Sequence, residues 1–174
     1  LGSVTDRLLH SCPVPVGIAP RGFRGHSGQK VRRVTVAVDG SESTAAVLRN
    51  AADIAATAGA QLRVVTFAVR SRTLHAPELG RHIEERVIAA WRHQAAAVVD
   101  AAIAALPDDR RAGVEQLVAE ATTWRNVMDE PGWAEGDVLV LGSSSSQSLV
   151  SRVFLGSTAT RILRYSPVPV IVVP

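Results

Sequence analysis

The chain has 174 residues, of which 47 % are apolar and 20 % are charged, and its formal net charge is +3. This composition excludes wholesale disorder, because so many apolar residues suffice to form a core. No uninterrupted apolar stretch approaches the roughly 20 residues of a membrane-spanning helix. Cys12 is the single cysteine, which excludes a disulfide framework within the chain and favours a reducing, cytoplasmic location.

Positive charge is concentrated in the first 33 residues, which carry six basic side chains against Asp6 alone. The rest of the chain carries 13 basic and 15 acidic side chains. Because this main body is slightly acidic, we expect no nucleic-acid-binding surface on it. The basic segment 21–33 is rich in glycine, which is typical of a flexible linker.

The two ends of the chain repeat one another. Residues 1–20 and 155–174 are identical at ten of twenty positions, at an offset of 154 residues, which is about one domain length. The repeat predicts that residues 1–20 are the terminal helix and strand of a truncated preceding domain. Residues 21–30 are then a linker, and residues 31–174 form a complete second domain.

Strands and helices alternate through this second domain. Val34–Val38 is an apolar run that predicts a strand buried on both faces. Ser41 is predicted to cap the next helix, with Glu42 in its first turn. Further strands, each preceded by a helix, are predicted at Leu62–Val69, Val114–Glu120, Val138–Leu141 and Val168–Val173. This alternation predicts a parallel sheet with helices on both faces.

Parallel sheets bind ligands at the carboxyl ends of their strands, so the loops after Val38, Phe67 and Leu141 are candidate ligand-binding loops. The first loop presents Asp39 at a helix start, where a carboxylate can accept a hydrogen bond from an amine or a ribose hydroxyl. A helix-capping turn is the alternative interpretation. The loop after Leu141 ends in Gly156-Ser157-Thr158. Free N–H groups at a helix start favour an anion such as phosphate, and a polar loop ending in a cap is the alternative.

Three segments, VAVDGS, DVLVLGSSS and FLGSTATRILRYSPVPVIVVP, resemble in order the motifs of the universal stress protein family. The resemblance covers about residues 31–174. It implies a Rossmann-like, three-layer α/β sandwich with a five-stranded parallel sheet of strand order 3-2-1-4-5. It also implies a stress-response regulatory protein that binds ATP or AMP, with or without Mg²⁺, and forms a homodimer through its final strand. No nucleic-acid or membrane partner is expected. From the same association through final strands, we expect the segment 14–18 to pair antiparallel with Val168–Val173, either within one chain or between two chains.

The same resemblance implies nine nucleotide-binding residues. Those on the side of the adenosine are Ala37, Val38, Asp39 and Phe67. Those in the phosphate loop are Gly142, Ser145, Gly156, Ser157 and Thr158. The family has a glycine where this chain has Ser145, and one additional residue separates that position from Gly156.

This departure from the family pattern leaves a second interpretation open, namely a dimerisation or interaction module of the same fold that binds no nucleotide. A slow ATPase is a third possibility, but no phosphate-binding lysine or positioned base supports efficient hydrolysis. We therefore expect a protein that is not an enzyme. The five histidines show no metal-ligand spacing, so no metal site is expected.

Overall fold

The computed structural model describes residues 5, 7–9, 12–24, 29–69, 79–143 and 157–174. In this part of the chain six strands form one sheet. They are β1 (Val16–Ile18), β2 (Arg33–Ala37), β3 (Gln61–Val69), β4 (Glu115–Ala121), β5 (Asp137–Gly142) and β6 (Val170–Val173). The helices are α1 (Thr44–Ala58), α2 (Leu79–Ala104), α3 (Asp108–Arg111), α4 (Trp124–Asp129) and α5 (Ser157–Tyr165). Thr5 and residues 7–9 are also helical.

The strand order across the sheet is β1-β6-β5-β2-β3-β4. Strands β2 to β6 pair in parallel, and they follow the order 3-2-1-4-5 predicted for the domain. The α/β fold is therefore confirmed. The prediction of a five-stranded, purely parallel sheet is wrong in one respect, because β1 pairs antiparallel with β6 and adds a sixth strand to the edge.

This added strand pairs with its own repeat. Gly17 and Ile171 are equivalent positions 154 residues apart, and they lie opposite each other in the sheet. Leu9 and Leu163 are equivalent as well, and both are buried in one apolar cluster. The antiparallel pairing predicted for residues 14–18 is thus present, and it forms within one chain. The assignment of residues 1–20 to a preceding domain stays a prediction.

The core lies on both faces of the sheet, because successive side chains of a strand point to opposite faces. In β5, Val138 and Val140 pack in the cluster that contains α1 and α2. Leu139 and Leu141 pack in the other cluster, with α4 and α5. The three layers predicted for the sandwich are therefore present.

The start of α1 differs from the prediction that Ser41 caps it. The helix begins at Thr44, and Ser43 is its N-cap residue without a side-chain capping bond, so Glu42 precedes the helix. Asp39 is the acceptor instead, since its Oδ1 accepts a hydrogen bond from the Ser41 N–H at 2.9 Å. A carboxylate that bonds the backbone two residues later forms an Asx turn, and this turn delays the helix.

At the amino-terminal edge of the sheet, a buried arginine joins three segments. Arg63 is 1 % exposed. Its Nε donates to Thr35 Oγ1 at 3.1 Å, and its Nη1 donates to the Pro131 carbonyl at 2.7 Å. Burial lowers the pKa of this guanidinium, and nearby Arg33 lowers it further. The carboxylate of Asp137 lies beside both arginines, 2.6 Å from Arg33 Nη2 and 4.0 Å from Arg63 Nη2.

Candidate functional site: a cleft at the carboxyl edge of the sheet

A cleft of about 720 Å³ lies at the carboxyl ends of the central strands. The chain continues from β2 to β3 on one side and returns to β5 on the other, and such a switch point opens a crevice between the loops. Seven of the nine predicted site residues line it, namely Ala37, Val38, Asp39, Phe67, Gly142, Ser157 and Thr158. Ser145 and Gly156 lie outside the described residues.

Asp39 accepts two hydrogen bonds within the loop that borders the cleft. Besides the Ser41 N–H, its Oδ1 accepts a hydrogen bond from the Thr44 hydroxyl at 3.3 Å. Partial burial alone would raise the pKa of this carboxyl, but the hydrogen bonds from Ser41 and Thr44 outweigh it and hold the pKa below its usual value. Asp39 is therefore ionised at neutral pH. Its exposed carboxylate can also accept a hydrogen bond from a ligand.

The neighbouring apolar residues belong to opposite faces of the sheet. Ala37 and Phe67 are half-buried and pack against the cluster that contains α4 and α5. Val38 packs into the other cluster, and its N–H donates to the Val65 carbonyl at 2.9 Å. Ala37 and Phe67 thus offer an apolar wall to a flat ligand, whereas Val38 contributes mainly through its backbone.

The close packing of α1 against the end of β5 requires a glycine at position 142. A Cβ at this position would lie 2.5 Å from Val47 Cγ2 and 3.8 Å from Ser43 Oγ. Non-bonded carbon atoms are normally about 3.5–4 Å apart, so α1 can approach the end of β5 this closely because residue 142 has no side chain. The close approach of helix and strand explains this glycine without any phosphate.

Ser157 and Thr158 open α5 at the rim of the cleft, and both are exposed. The first N–H groups of a helix have no partner within the helix, and together with the helix dipole they favour a negative charge. The hydroxyls of both residues can donate as well. This geometry fits the phosphate-binding role predicted for the pair.

The charged side chains that line the cleft in the described part of the chain are both acidic, Asp39 and Glu42. No lysine or arginine lines the cleft among the described residues. No group of three or more His, Cys, Asp or Glu residues forms a metal site within the described ranges.

Sequence reasoning did not assign several residues that line the cleft, among them Thr44, Thr66 and Trp124. The Thr44 hydroxyl supports Asp39 by donating to its carboxylate. Trp124 also packs against the core. Its position shortly after a strand end, like that of Asp39, is the sequence signal that could have identified it.

The profile of the universal stress protein family matches residues 30–174. Universal stress proteins of Mycobacterium tuberculosis and Mycobacterium bovis are each 40 % identical to this chain over 179 aligned positions. These alignments cover 100 % of the chain and 58 % of each relative. The chain thus spans little more than half the length of these relatives.

Solved structures show the same fold. The universal stress protein UspA of Lactobacillus plantarum superposes with a TM-score of 0.58 at 23 % identity, over 83 % of this chain and 99 % of that one. A universal stress protein of Archaeoglobus fulgidus, solved in complex with dAMP, gives a TM-score of 0.53 at 20 % identity, over 82 % and 98 %. A putative universal stress protein of Pseudomonas aeruginosa gives 0.55 at 22 % identity, over 99 % and 56 %.

The fold and the cleft define a Rossmann-like α/β protein with its candidate ligand site at the switch point of a parallel sheet. The profile match extends over most of the chain and includes every strand from β2 to β6. The chain belongs to the universal stress protein family. In the described part of the chain, no helix combines the length and the apolar character needed to cross a membrane.

Proposed function

We propose that the chain is a regulatory protein that binds adenine nucleotide in the cleft between β2 and β5. The observation that carries this proposal is the convergence of Asp39, Phe67 and the start of α5 on one cleft. In the proposed complex, the base lies against Ala37 and Phe67, Asp39 accepts a hydrogen bond from the ribose, and Ser157 and Thr158 contact the phosphates. The dAMP complex of the Archaeoglobus fulgidus protein supports a nucleotide as the ligand class.

We propose a binding role rather than catalysis. Phosphoryl transfer needs positive groups at the transferred phosphate and a residue that positions the attacking group. The described cleft residues include no lysine or arginine. A cytoplasmic location agrees with the single cysteine, since one thiol suits a reducing compartment.

The acidic lining predicts how the protein distinguishes nucleotides. We expect AMP to bind more tightly than ATP in the absence of Mg²⁺, because each added phosphate increases repulsion from the ionised carboxylate of Asp39. Mg²⁺ offsets this repulsion and should raise the affinity for ATP while leaving that for AMP nearly unchanged.

Titration calorimetry of the purified full chain tests the nucleotide site. We expect Asp39→Ala to weaken AMP and adenosine binding about tenfold or more, because a hydrogen bond to a charged group contributes about 1.5–3 kcal/mol. Asp53→Ala is the matched control, since Asp53 is an exposed aspartate of α1 that does not line the cleft. Equal losses in both variants would contradict the assigned role of Asp39.

Adenosine also simplifies the pH profile, because it has no phosphate to titrate and its adenine ring is protonated only well below neutral pH. The lowered pKa of Asp39 keeps the carboxylate ionised through the neutral range. Adenosine affinity should therefore stay constant from pH 8 to about pH 5 and fall as the pH drops through the pKa of Asp39. A decrease centred near neutral pH would show that another group controls binding.

A second candidate function is an interaction module that binds no nucleotide. The half-buried Phe67 favours it, because an aromatic ring that packs on the core also reduces the space for a base. The absence of any heat with millimolar AMP, ATP and Mg²⁺-ATP would favour this module. Adenine nucleotide released from the denatured protein and detected by chromatography would exclude it.

A further inference from the structure

We propose that the groove between α4 and α5 is a separate site that binds a phosphate group. The groove holds about 850 Å³ and lies beside the nucleotide cleft. Arg125 and Arg161 line it together with the aromatic rings of Trp124 and Tyr165. None of the positions predicted from sequence to bind nucleotide lines this groove.

Two reciprocal contacts between the helices position the arginines. Arg161 of α5 lies over the ring of Trp124 in α4, with 5.6 Å from the guanidinium carbon to the ring centroid. Arg125 of α4 lies over the ring of Tyr165 in α5 at 5.7 Å. Stacking occupies a face of each guanidinium and leaves its in-plane N–H donors available. Both guanidinium groups are therefore held in place before a ligand binds.

Neither of these arginines forms an ion pair within the described residues, and α5 contains no acidic residue in its sequence STATRILRY. Other arginines of the domain do reach carboxylates within 4.0 Å, namely Arg33, Arg63, Arg92, Arg110 and Arg111. The chain beyond residue 33 is slightly acidic overall. The groove is thus a local site of positive charge that no carboxylate among the described residues neutralises by an ion pair.

A phosphate group suits this site chemically. The planar fork of arginine binds phosphate oxygens in pairs, and the Thr122 hydroxyl and the Asn126 amide lie in the same groove as further donors. Trp124 lines both the groove and the nucleotide cleft, so the two cavities adjoin at this side chain. The phosphate belongs either to a nucleotide that extends out of the cleft or to a separate phosphorylated compound.

Pyrophosphate is a suitable probe, because it tests the groove without relying on nucleotide binding. In calorimetric titrations of the full chain, we expect the double variant Arg125→Gln/Arg161→Gln to bind pyrophosphate at least tenfold more weakly than wild type. Arg49→Gln is the control, because Arg49 is an exposed arginine of α1 outside both cavities. It should bind like wild type. Equal affinity of wild type and the double variant, or no binding to wild type, overturns the proposal.

A second double variant, Arg125→Lys/Arg161→Lys, separates the loss of the site from the loss of helix packing. Lysine keeps the charge and can still lie over the rings, but it lacks the planar fork. We expect its thermal midpoint to match that of wild type while its pyrophosphate affinity falls severalfold. An unchanged pyrophosphate affinity in this folded variant would show that the planar guanidinium groups do not recognise phosphate.

Two further titrations identify the source of the phosphate. If pyrophosphate binds equally well whether AMP or diadenosine tetraphosphate is saturating, the groove takes a separate compound. If diadenosine tetraphosphate binds wild type at least tenfold more tightly than AMP, and the glutamine double variant abolishes this advantage, the groove takes the far phosphates of a longer nucleotide. Failure of AMP to bind any protein, with pyrophosphate binding intact, counts against the nucleotide proposal alone.

Discussion

Two different constraints can explain why residue 142 is a glycine. Its sequence context matches a phosphate-loop glycine, yet the structure places α1 so close that a methyl group would overlap Val47. Because glycine has no side chain, another group can approach its backbone closely, and that group can be a phosphate or a helix. Here the helix is present, so this residue by itself is weak support for a nucleotide.

Gly142→Ala should lower the free energy of unfolding by about 1–3 kcal/mol, which is the usual cost of overpacking a core. Val47 cannot simply rotate away, because β-branched side chains are restricted at χ1. Urea denaturation measures the change. Gly17→Ala is the control, since a Cβ there meets nothing within 4 Å, and its stability should be close to that of wild type.

A double variant at Gly142 and Val47 tests the cause of this loss. In Gly142→Ala/Val47→Ala the overlapping methyl group is gone, so the cost of Gly142→Ala should be much smaller in this background. Additive losses in the double variant would show that Val47 is not what the new methyl group strikes.

At the scale of elements, two carboxylates reach Arg33 and Arg63 at the amino-terminal edge of the sheet, the half-exposed Glu115 and the buried Asp137. Asp137 is 4 % exposed and begins β5. It accepts hydrogen bonds from Arg33 Nε and Nη2 and from the Ala134 N–H. It also lies beside the buried guanidinium of Arg63. The strands β2, β3 and β5 thus share one buried network of opposite charges.

Asp137→Asn should lower stability by up to about 3–5 kcal/mol, because it removes the buried partner and leaves Arg33 and Arg63 with only the half-exposed Glu115, at 3.7 and 3.8 Å. Chemical denaturation measures this loss. Asp108→Asn is the matched control. Asp108 also pairs with an arginine, Arg111, at 2.9 Å, but its side chain is 92 % exposed, so the change should be within about 1 kcal/mol. Similar effects of the two substitutions would contradict a special role for the buried network.

The strands and most of the cleft followed from sequence because they depend on local patterns. Apolar runs identified β2 to β6, and their carboxyl ends located Asp39, Phe67 and Gly142. The Arg63 network could not be predicted this way, because its partners Thr35 and Pro131 are 28 and 68 residues away in sequence. The start of α1 was misplaced because Asp39 competes for the Ser41 N–H, and a single sequence does not reveal which acceptor prevails.

For the whole molecule, the amino-terminal segment occupies the edge of β6. Leu9 is 3 % exposed and packs with the core cluster of α4 and α5, whereas Leu8, on the same helical turn, is 48 % exposed. Val16, Gly17 and Ile18 lie opposite Val172, Ile171 and Val170. A homodimer through the final strand, as the family resemblance implies, needs this same edge. A second copy can pair with β6 only if β1 leaves it.

Deleting residues 1–30 should therefore make the protein dimerise. The deletion exposes the N–H and C=O groups of the β6 edge, and an unpaired edge strand recruits another strand. Because β1 and β6 occupy equivalent positions in the repeat, the β6 strand of a second copy can take the place of β1. Light scattering coupled to size-exclusion chromatography would detect the dimer. At low protein concentration, where dimers dissociate, the thermal midpoint should fall and the amides of β6 should exchange faster.

Leu9→Ala in the full chain is the control for lost packing, because it keeps β1 in place. Truncating a buried leucine costs at least about 2 kcal/mol, which corresponds to a decrease of about 4–8 °C in the thermal midpoint for a chain of this size. The oligomeric state should not change, since the β6 edge remains covered. If the deleted protein keeps the oligomeric state, the midpoint and the β6 protection of the full chain, then β1 does not cover that edge in solution and the pairing is wrong.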